Sequence, residues 1–139
     1  MREDKPPVTL DLTWQGELKF AVVCDGHRVL LDSAGAAGPS PAQALAFSLA
    51  ACMAMDVVHI LTKGRSTIQA MTARLSGQRA DDHPRRFVSF EAHFSLAGDL
   101  AREKVERAIV LSREKYCSVW HSMREDIVFS TSFDITPSS

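Results

Sequence analysis

The 139-residue sequence predicts an α+β fold with the element order βββ-α-ββ-α-β. Three observations predict this class: residues that alternate between apolar and polar mark strands near both ends of the chain, an alanine-rich helix separates two groups of strands, and a second helical pattern precedes the last strand. No internal repeat or linker divides the chain, so we expect a single domain over residues 1–139. In that fold the long helix is buried at the centre and crosses sheet on both sides.

The first three strands are predicted by alternation and by a strong turn signal. Val8–Trp14 alternates in the manner of a half-buried strand. Leu18–Cys24 and Val29–Asp32 flank the turn Asp25-Gly26, a residue pair typical of tight hairpins. The small, glycine- and proline-bearing segment Ser33–Pro41 is then expected to be a loop.

The central helix has clear start and stop signals. Ser40 can cap it, Pro41 suits its first turn, and Gly64 ends it after Lys63. Its first two-thirds is apolar nearly all round, which predicts burial on every side. Its most apolar window, Ala44–Met55, is shorter than the roughly 20 residues that a membrane span requires.

The second half of the chain carries three more strands and one more helix. Ser66–Arg79 and Arg86–Leu96 show strand patterns separated by a polar turn, and Ile127–Ile135 is the last strand. Leu100–Met123 has a helical period and contains no glycine or proline that would indicate a bend. We therefore expect it to form one continuous helix.

Charge and cysteine content exclude several functional classes. Sixteen Lys+Arg and 17 Asp+Glu give a net charge of −1, which argues against binding nucleic acid or an anionic membrane by bulk attraction. The charged segment Met1–Pro7 has no apolar stretch behind it that would act as a signal peptide. Three cysteines are too few for a secreted disulfide scaffold. We expect a soluble cytoplasmic protein with a small-molecule or protein partner.

Cys52 is the first candidate for chemistry. At 100° per residue, a sector of roughly 60° on the central helix holds Cys52, Asp56, His59 and Lys63. A thiol beside such a polar stripe has the neighbours that an activated thiolate needs. The alternative is that Cys52 is a small buried hydrophobe with the Asp56–His59 pair solvated further along, and the sequence leaves both interpretations open.

Cys117 is the second candidate, with Glu114 and His121 on the same side of the predicted second helix. Asp56, His59, Glu114 and His121 are thus the candidate supporting residues. A four-ligand zinc site could be drawn from Cys52, His59, Cys117 and His121, but such i,i+4 spacing is common by chance. We expect no metal and no cofactor, and we expect Cys24 to serve packing.

Two cysteine-centred blocks resemble a known family. The segment Gly38–Pro41 precedes a helix that carries Cys52 and Met53–Val58, and the second block is Ser112–Val119. Together with Asp56–Arg65 they resemble the OsmC/Ohr family, and especially its YhfA-like branch. The resemblance runs over nearly the whole chain.

This resemblance implies an intertwined homodimer with the long helices buried at its centre. It also implies thiol-dependent reduction of hydroperoxides, preferably organic ones, as a defence against oxidative stress. Cys52 would be the peroxidatic thiolate that becomes a sulfenic acid, and Cys117 the resolving thiol that condenses with it. A dithiol reductant would then restore both thiols.

One departure from the family pattern affects the expected activity. In well-characterised peroxidase branches, a glutamate just after the proline of the loop-to-helix junction and an arginine from the N-terminal strands together activate the thiolate. This chain reads Ala42-Gln43 at the junction, and its N-terminal hairpin offers Arg28, which no sequence pattern places at the arginine position. Another cation would have to activate the thiolate, the candidates being His59, His121, Arg79 and Arg113. The alternative function is therefore a non-catalytic protein that binds an apolar small molecule on the same fold.

Overall fold

The computed structural model describes residues 5–138. The first part of the chain forms a three-stranded antiparallel sheet. Its strands, in spatial order, are β1 (Asp11–Trp14), β2 (Lys19–Cys24) and β3 (His27–Asp32). The turn between β2 and β3 is the predicted Asp25-Gly26 pair, with φ values of 49° and 79° that this tight turn requires. Residues 1–4, on which part of the signal-peptide expectation rests, and residue 139 lie outside the described residues.

Asp32 ends β3 and organises the loop that follows. Its carboxylate accepts hydrogen bonds from the backbone N–H groups of Ala34 (2.9 Å), Ala36 (3.3 Å) and Ala37 (3.0 Å). These bonds, that of Ala37 above all, hold the pKa of Asp32 below its ordinary value, since they favour the charged carboxylate. The predicted loop is therefore ordered by one acidic side chain at its start.

Helix α1 spans Pro41–Lys63, as predicted. Its N-terminus is a capping box: the N–H of Gln43 donates to the Ser40 Oγ (3.1 Å), and the N–H of Ser40 donates to the Gln43 Oε1 (2.9 Å). At the other end the N–H of Gly64 donates to the carbonyl of Ile60 (3.0 Å) and closes the last turn. Local capping chemistry therefore fixes both helix ends.

The expectation that α1 is buried on every side is wrong for the chain by itself. Its buried residues form one stripe at four-residue spacing: Leu49, Met53, Val57 and Leu61. Phe47 is 51% exposed and Met55 70%, because the core of the chain lies against only one side of the helix. The sequence predicts that the apolar part of α1 is too short for a membrane span. By length and composition alone, however, α1 is long and apolar enough to cross a membrane, with a mean hydropathy of 1.9 in its most apolar window. The core helix of a soluble protein passes the same test.

The second sheet has strand order β4-β5-β6, with β5 in the middle. The strands are β4 (Ala70–Arg79), β5 (Phe87–Ala97) and β6 (Val128–Thr136). β4 and β5 are antiparallel neighbours, whereas β5 and β6 are parallel because a helical crossover connects them. Alternate residues of β5 enter the core: Phe90, Ala92, Phe94 and Leu96. The other face of β5 is left for polar side chains.

The crossover consists of three helical segments, so the predicted single helix over Leu100–Met123 is wrong. They are α2 (Arg102–Leu111), a π-helical turn (Ser112–Tyr116) and α3 (Ser118–His121). The N–H of Cys117 donates to the carbonyl of Ser112, five residues back (2.8 Å), and Cys117 itself is extended, with ψ 101°. The interruption is formed by the hydrogen bonding around Cys117 and not by a glycine or a proline, so no residue type in the sequence indicates it.

The chain forms two compact units, one up to Leu45 and one from Ala46 onward. The second unit contains the main hydrophobic core, built from the buried stripe of α1, the inner face of β5 and residues of the crossover and β6. Cys52 and Cys117 both belong to this second unit. The single domain over residues 1–139 stays a prediction.

Candidate active site

Three side chains that can act as nucleophiles, acids or ligands lie close together in the second unit. Cys52 and Asp56 lie one turn apart on α1, and Cys117 comes from the break between the π-helical turn and α3. The two sulfur atoms and a carboxylate oxygen of Asp56 all lie within 4.8 Å of one another. We call Cys52, Asp56 and Cys117 the thiol cluster. The prediction from helical spacing that Asp56 lies beside Cys52 is therefore confirmed.

Cys117 is the buried member of the cluster, with 0% of its surface exposed, and it caps α3. Its sulfur accepts a hydrogen bond from the backbone N–H of Trp120 (3.4 Å). Burial, with a smaller contribution from the adjacent Cys52 thiol, raises the pKa of the Cys117 thiol to about 11, although the hydrogen bond from the Trp120 N–H opposes the shift. Cys117 is therefore a protonated thiol at neutral pH, whereas Cys52 is only half-buried.

Two serines that sequence reasoning missed complete the surroundings of the cluster. The hydroxyl of Ser112, itself fully buried, donates to the Asp56 Oδ2 at 2.7 Å. The Ser118 Oγ lies 4.0 Å from the Cys52 Sγ. Ser118 could have been suspected as the chain neighbour of Cys117. No sequence pattern links Ser112 to Asp56, because the π-helical turn brings the two side chains together.

The other predicted supporting residues lie outside the thiol cluster. Glu114 is exposed on the π-helical turn and His121 is exposed at the end of α3. The helical spacing that put both beside Cys117 does not hold, since the helix is interrupted there. Of the residues in the four-ligand zinc hypothesis, only the two cysteines are in the cluster, and the third potential ligand is Asp56.

His59 lines a cavity of about 500 Å³ next to the cluster. Asp56 also lines this cavity and so connects it with the two sulfur atoms. The remaining lining residues are partly apolar and partly basic: Ile60, Lys63, Gly64, Leu111 and Tyr116. The cavity can therefore hold an apolar molecule with one polar end.

Two of the four proposed activating cations are engaged elsewhere. The Arg79 Nε donates to the carbonyl of Arg85 (2.8 Å), and the Arg113 guanidinium lies 5.2 Å above the centre of the Phe129 ring. Over residues 5–138 the ion pairs formed by basic side chains reach other carboxylates than Asp56. The basic side chains of the cavity are His59 and Lys63, which lie on the face of α1 predicted for them.

Comparison with known proteins identifies the family. The family model for OsmC-like protein matches residues 33–132, which include the whole thiol cluster. The chain belongs to the OsmC-like family. Protein YhfA of Escherichia coli K12 is 35% identical over 126 residues, which cover 89% of this chain and 90% of YhfA.

Solved structures show the same OsmC-like fold of two sheets and helices. A hypothetical protein from Aquifex aeolicus superposes with a TM-score of 0.89 at 24% identity, over 97% of this chain and all of that one. An organic hydroperoxide resistance protein, OsmC, from Legionella pneumophila gives a TM-score of 0.70 at 17% identity, over 94% of this chain and 99% of that one. The mixed α+β class predicted from the sequence is thus confirmed, and α1 contributes one buried stripe to the core of this OsmC-like fold.

Proposed function

We propose that this OsmC-like protein reduces organic hydroperoxides by a two-cysteine mechanism. The carrying observation is the approach of two free thiols from separate elements, with the sulfur atoms of Cys52 and Cys117 within 4.8 Å. The difference in burial supports the proposed roles, in which the half-buried Cys52 meets the peroxide and the fully buried Cys117 resolves the product. The Legionella relative named for organic hydroperoxide resistance supports this choice of substrate.

The reaction balances in three steps. The Cys52 thiolate attacks one oxygen of ROOH, the O–O bond breaks, and Cys52-SOH and the alcohol ROH form once the alkoxide takes a proton. The Cys117 thiol then attacks the sulfenic sulfur, which releases water and forms the Cys52–Cys117 disulfide. A dithiol reductant of a reducing cytoplasm returns both thiols by exchange and becomes a disulfide itself.

Asp56 is the proton acceptor of the second step. Its carboxylate lies within 4.8 Å of both sulfur atoms, and the Ser112 hydroxyl fixes its orientation. Because the pKa of Cys117 is about 11, this thiol must lose its proton as it attacks rather than beforehand. In this proposal, the basic side chains that line the neighbouring cavity, His59 and Lys63, are the candidates to favour the Cys52 thiolate.

The cavity beside Asp56 favours an organic peroxide over hydrogen peroxide. Its volume of about 500 Å³ accommodates a molecule with an alkyl or aryl group, and Ile60, Leu111 and Tyr116 offer apolar surface to that group. Hydrogen peroxide would leave this surface in contact with water. We expect cumene hydroperoxide to be reduced faster than hydrogen peroxide at equal concentration.

The test is a thiol count and an intact mass before and after one equivalent of cumene hydroperoxide. The wild type should lose two of its three thiols and about 2 mass units per chain as the disulfide forms. Cys117→Ser should retain an oxidised Cys52, and Cys52→Ser should keep its thiols. Cys24→Ser is the matched control, because Cys24 lies on β2 and should leave the reaction unchanged. Retention of all three thiols by the wild type would refute the proposal.

The exposed apolar side chains support a homodimer as the working form. On α1, Phe47, Met55 and Val58 are between 41% and 70% exposed, on the side away from its buried stripe. In the first unit, Trp14 and Phe20 face each other across β1 and β2 and are 64% and 40% exposed. Light scattering should give twice the 15.3 kDa chain mass, and a monomer at micromolar concentration would refute this assembly.

The alternative function, binding of an apolar small molecule without turnover, has its own supporting observation. The junction Ala42-Gln43 lacks the glutamate of the peroxidase branches, and the Gln43 side chain accepts a hydrogen bond from the N–H of Ser40, the cap of its own helix. Under this alternative, Cys52→Ser would bind an apolar fluorescent probe as tightly as the wild type, and neither protein would consume peroxide. Peroxide consumption that depends on Cys52 excludes it.

A further inference from the structure

The thiol cluster has the composition of a metal site as well as that of a redox pair. Three potential ligand atoms, two sulfurs and one carboxylate oxygen, converge from α1 and the crossover. Cys52 and Asp56 are half-buried and Cys117 is fully buried, so this is a partly enclosed site rather than a surface group of acids. The predicted partners His59 and His121 are not needed to reach three ligands.

The separations of these atoms are close to those that zinc requires. With Zn–S near 2.3 Å and Zn–O near 2.0–2.2 Å, tetrahedral ligand atoms lie about 3.5–3.8 Å apart. The three atoms of the cluster already lie within 4.8 Å of one another, so binding requires each separation to contract by about 1.3 Å at most. Rotation of the Cys52 and Asp56 side chains, which are half-buried, can supply a movement of that size.

Charge also favours a cation here. Two thiolates and a carboxylate would carry three negative charges, and over residues 5–138 no basic side chain forms an ion pair with Asp56. A divalent cation at the centre would neutralise most of this charge where burial makes an uncompensated charge costly. The hydrogen bonds from Ser112 to Asp56 and from the Trp120 N–H to the Cys117 sulfur already orient two of the ligands.

We infer that the reduced protein binds one Zn²⁺ per chain through the Cys52 and Cys117 sulfurs and the Asp56 carboxylate. Two thiolates select a thiophilic ion over Mg²⁺ or Ca²⁺, and the fourth position is left for water or another external ligand. Binding displaces the two thiol protons, so apparent affinity rises with pH. A Cys52–Cys117 disulfide removes both thiolates, so the oxidised protein loses the site.

The test uses the full chain, reduced, freed of metal and kept anaerobic without peroxide. Zn²⁺ is titrated against a chromophoric chelator to give stoichiometry and affinity, and thiols are alkylated with and without Zn²⁺ and mapped by mass spectrometry. We expect one Zn²⁺ per chain, with Cys52 and Cys117 protected from alkylation and Cys24 still reactive. Asp56→Asn should weaken binding at least tenfold, Cys52→Ser should abolish it, and Cys24→Ser should match the wild type.

Two results would overturn the inference. One is alkylation of Cys52 and Cys117 at the same rate with and without one equivalent of Zn²⁺, a measurement on the wild type that requires no variant to fold. The other is unchanged affinity in Asp56→Asn, which would remove the carboxylate from the site. The inference uses residues of the proposed function but does not depend on it, because metal is measured without peroxide and peroxide oxidation is measured in chelator.

Discussion

Two clusters of titratable side chains in the second unit have similar components in different surroundings. In the thiol cluster a serine, Ser112, donates to a carboxylate that lies beside two thiols. The second cluster, which we call the His93 cluster, lies across the outer faces of β5 and β6. It consists of four polar side chains: His93, Ser95, Ser132 and Asp134.

The His93 cluster is exposed, and its groups are partners of one another. The His93 ring lies 2.7 Å from both the Ser132 Oγ and the Asp134 Oδ2, and the Ser95 hydroxyl donates to the same carboxylate oxygen at 3.0 Å. The side chains of His93 and Asp134 are 44% and 55% exposed, so water screens their charges. Hydrogen bonding from His93, and then from Ser95, holds the pKa of Asp134 below its ordinary value.

The two clusters therefore differ in burial and in access to water rather than in residue type, and we expect the buried cluster to be the reactive one. Each polar group of the His93 cluster has a hydrogen-bond partner and access to water. We therefore expect no stabilisation of these groups from oxidation or from metal binding. In the thiol cluster the fully buried Cys117 is kept neutral, and Asp56 has a hydroxyl rather than a cation as its partner. Both proposals, oxidation by a peroxide and binding of a metal ion, therefore concern the thiol cluster and not the His93 cluster.

The largest expected difference between the clusters is in peroxide turnover. Cys52→Ser should reduce turnover of cumene hydroperoxide to the uncatalysed background, since the attacking atom is gone. His93→Ala removes an equally conspicuous side chain and should leave turnover within about twofold of wild type, a difference of at most about 0.4 kcal/mol in activation free energy. Steady-state assays with a dithiol reductant give both values. Loss of turnover in His93→Ala would break the comparison.

A second difference is the response of stability to alkaline pH. The folded pKa of Cys117, about 11, lies above its ordinary 9.0, so the folded state retains a proton that the unfolded state loses. The titration of Cys117 therefore leaves the free energy of unfolding unchanged below pH 9. It lowers this free energy as pH rises from 9 to 11, by up to about 3 kcal/mol for a shift of this size. Urea unfolding of reduced protein at several pH values measures the slope.

Cys117→Ser is the control for this alkaline loss. It removes the titrating thiol, so its stability should depend less on pH between 9 and 11, whatever its stability at neutral pH. Cys52 and Asp56, which face Cys117, are retained in this variant. An identical slope in Cys117→Ser and wild type would show that other groups cause the loss.

The paired serines give a smaller, directly matched comparison. Ser112 is fully buried and donates to Asp56, so Ser112→Ala should lower the free energy of unfolding by about 1–3 kcal/mol. Ser95 donates to Asp134 on the exposed sheet face, so Ser95→Ala should change it by no more than about 0.5 kcal/mol. Urea denaturation at pH 7 measures both, and equal costs would mean that burial does not distinguish the clusters.

The same contrast explains what the sequence could predict. Helix α1 has its predicted bounds because Ser40, Pro41 and Gly64 are local signals whose hydrogen bonds form within a few residues. The position of Asp56 beside Cys52 also follows from spacing on that one helix. Such features require no knowledge of the rest of the fold.

The π-helical turn is the opposite case. Its five residues, Ser112–Tyr116, have ordinary helical composition, so nothing local predicts the extended Cys117 that follows. That interruption turns Glu114 and His121 into exposed residues and brings Ser112 to Asp56. The partners of Cys117 therefore depend on contacts between distant segments, which spacing along the sequence cannot provide.

The smallest expected effect concerns the ionisation of Asp134. His93→Ala removes the largest cause of its lowered pKa, so that pKa should rise toward the ordinary 3.8, and Ser95→Ala should raise it less. A lowered pKa stabilises the fold above the unfolded value, and this contribution is lost as pH falls through the folded pKa. NMR titration of the Asp134 carboxyl carbon measures the shift. A larger rise in Ser95→Ala than in His93→Ala would mean that the hydroxyl, not the imidazole, is the main partner of this carboxylate.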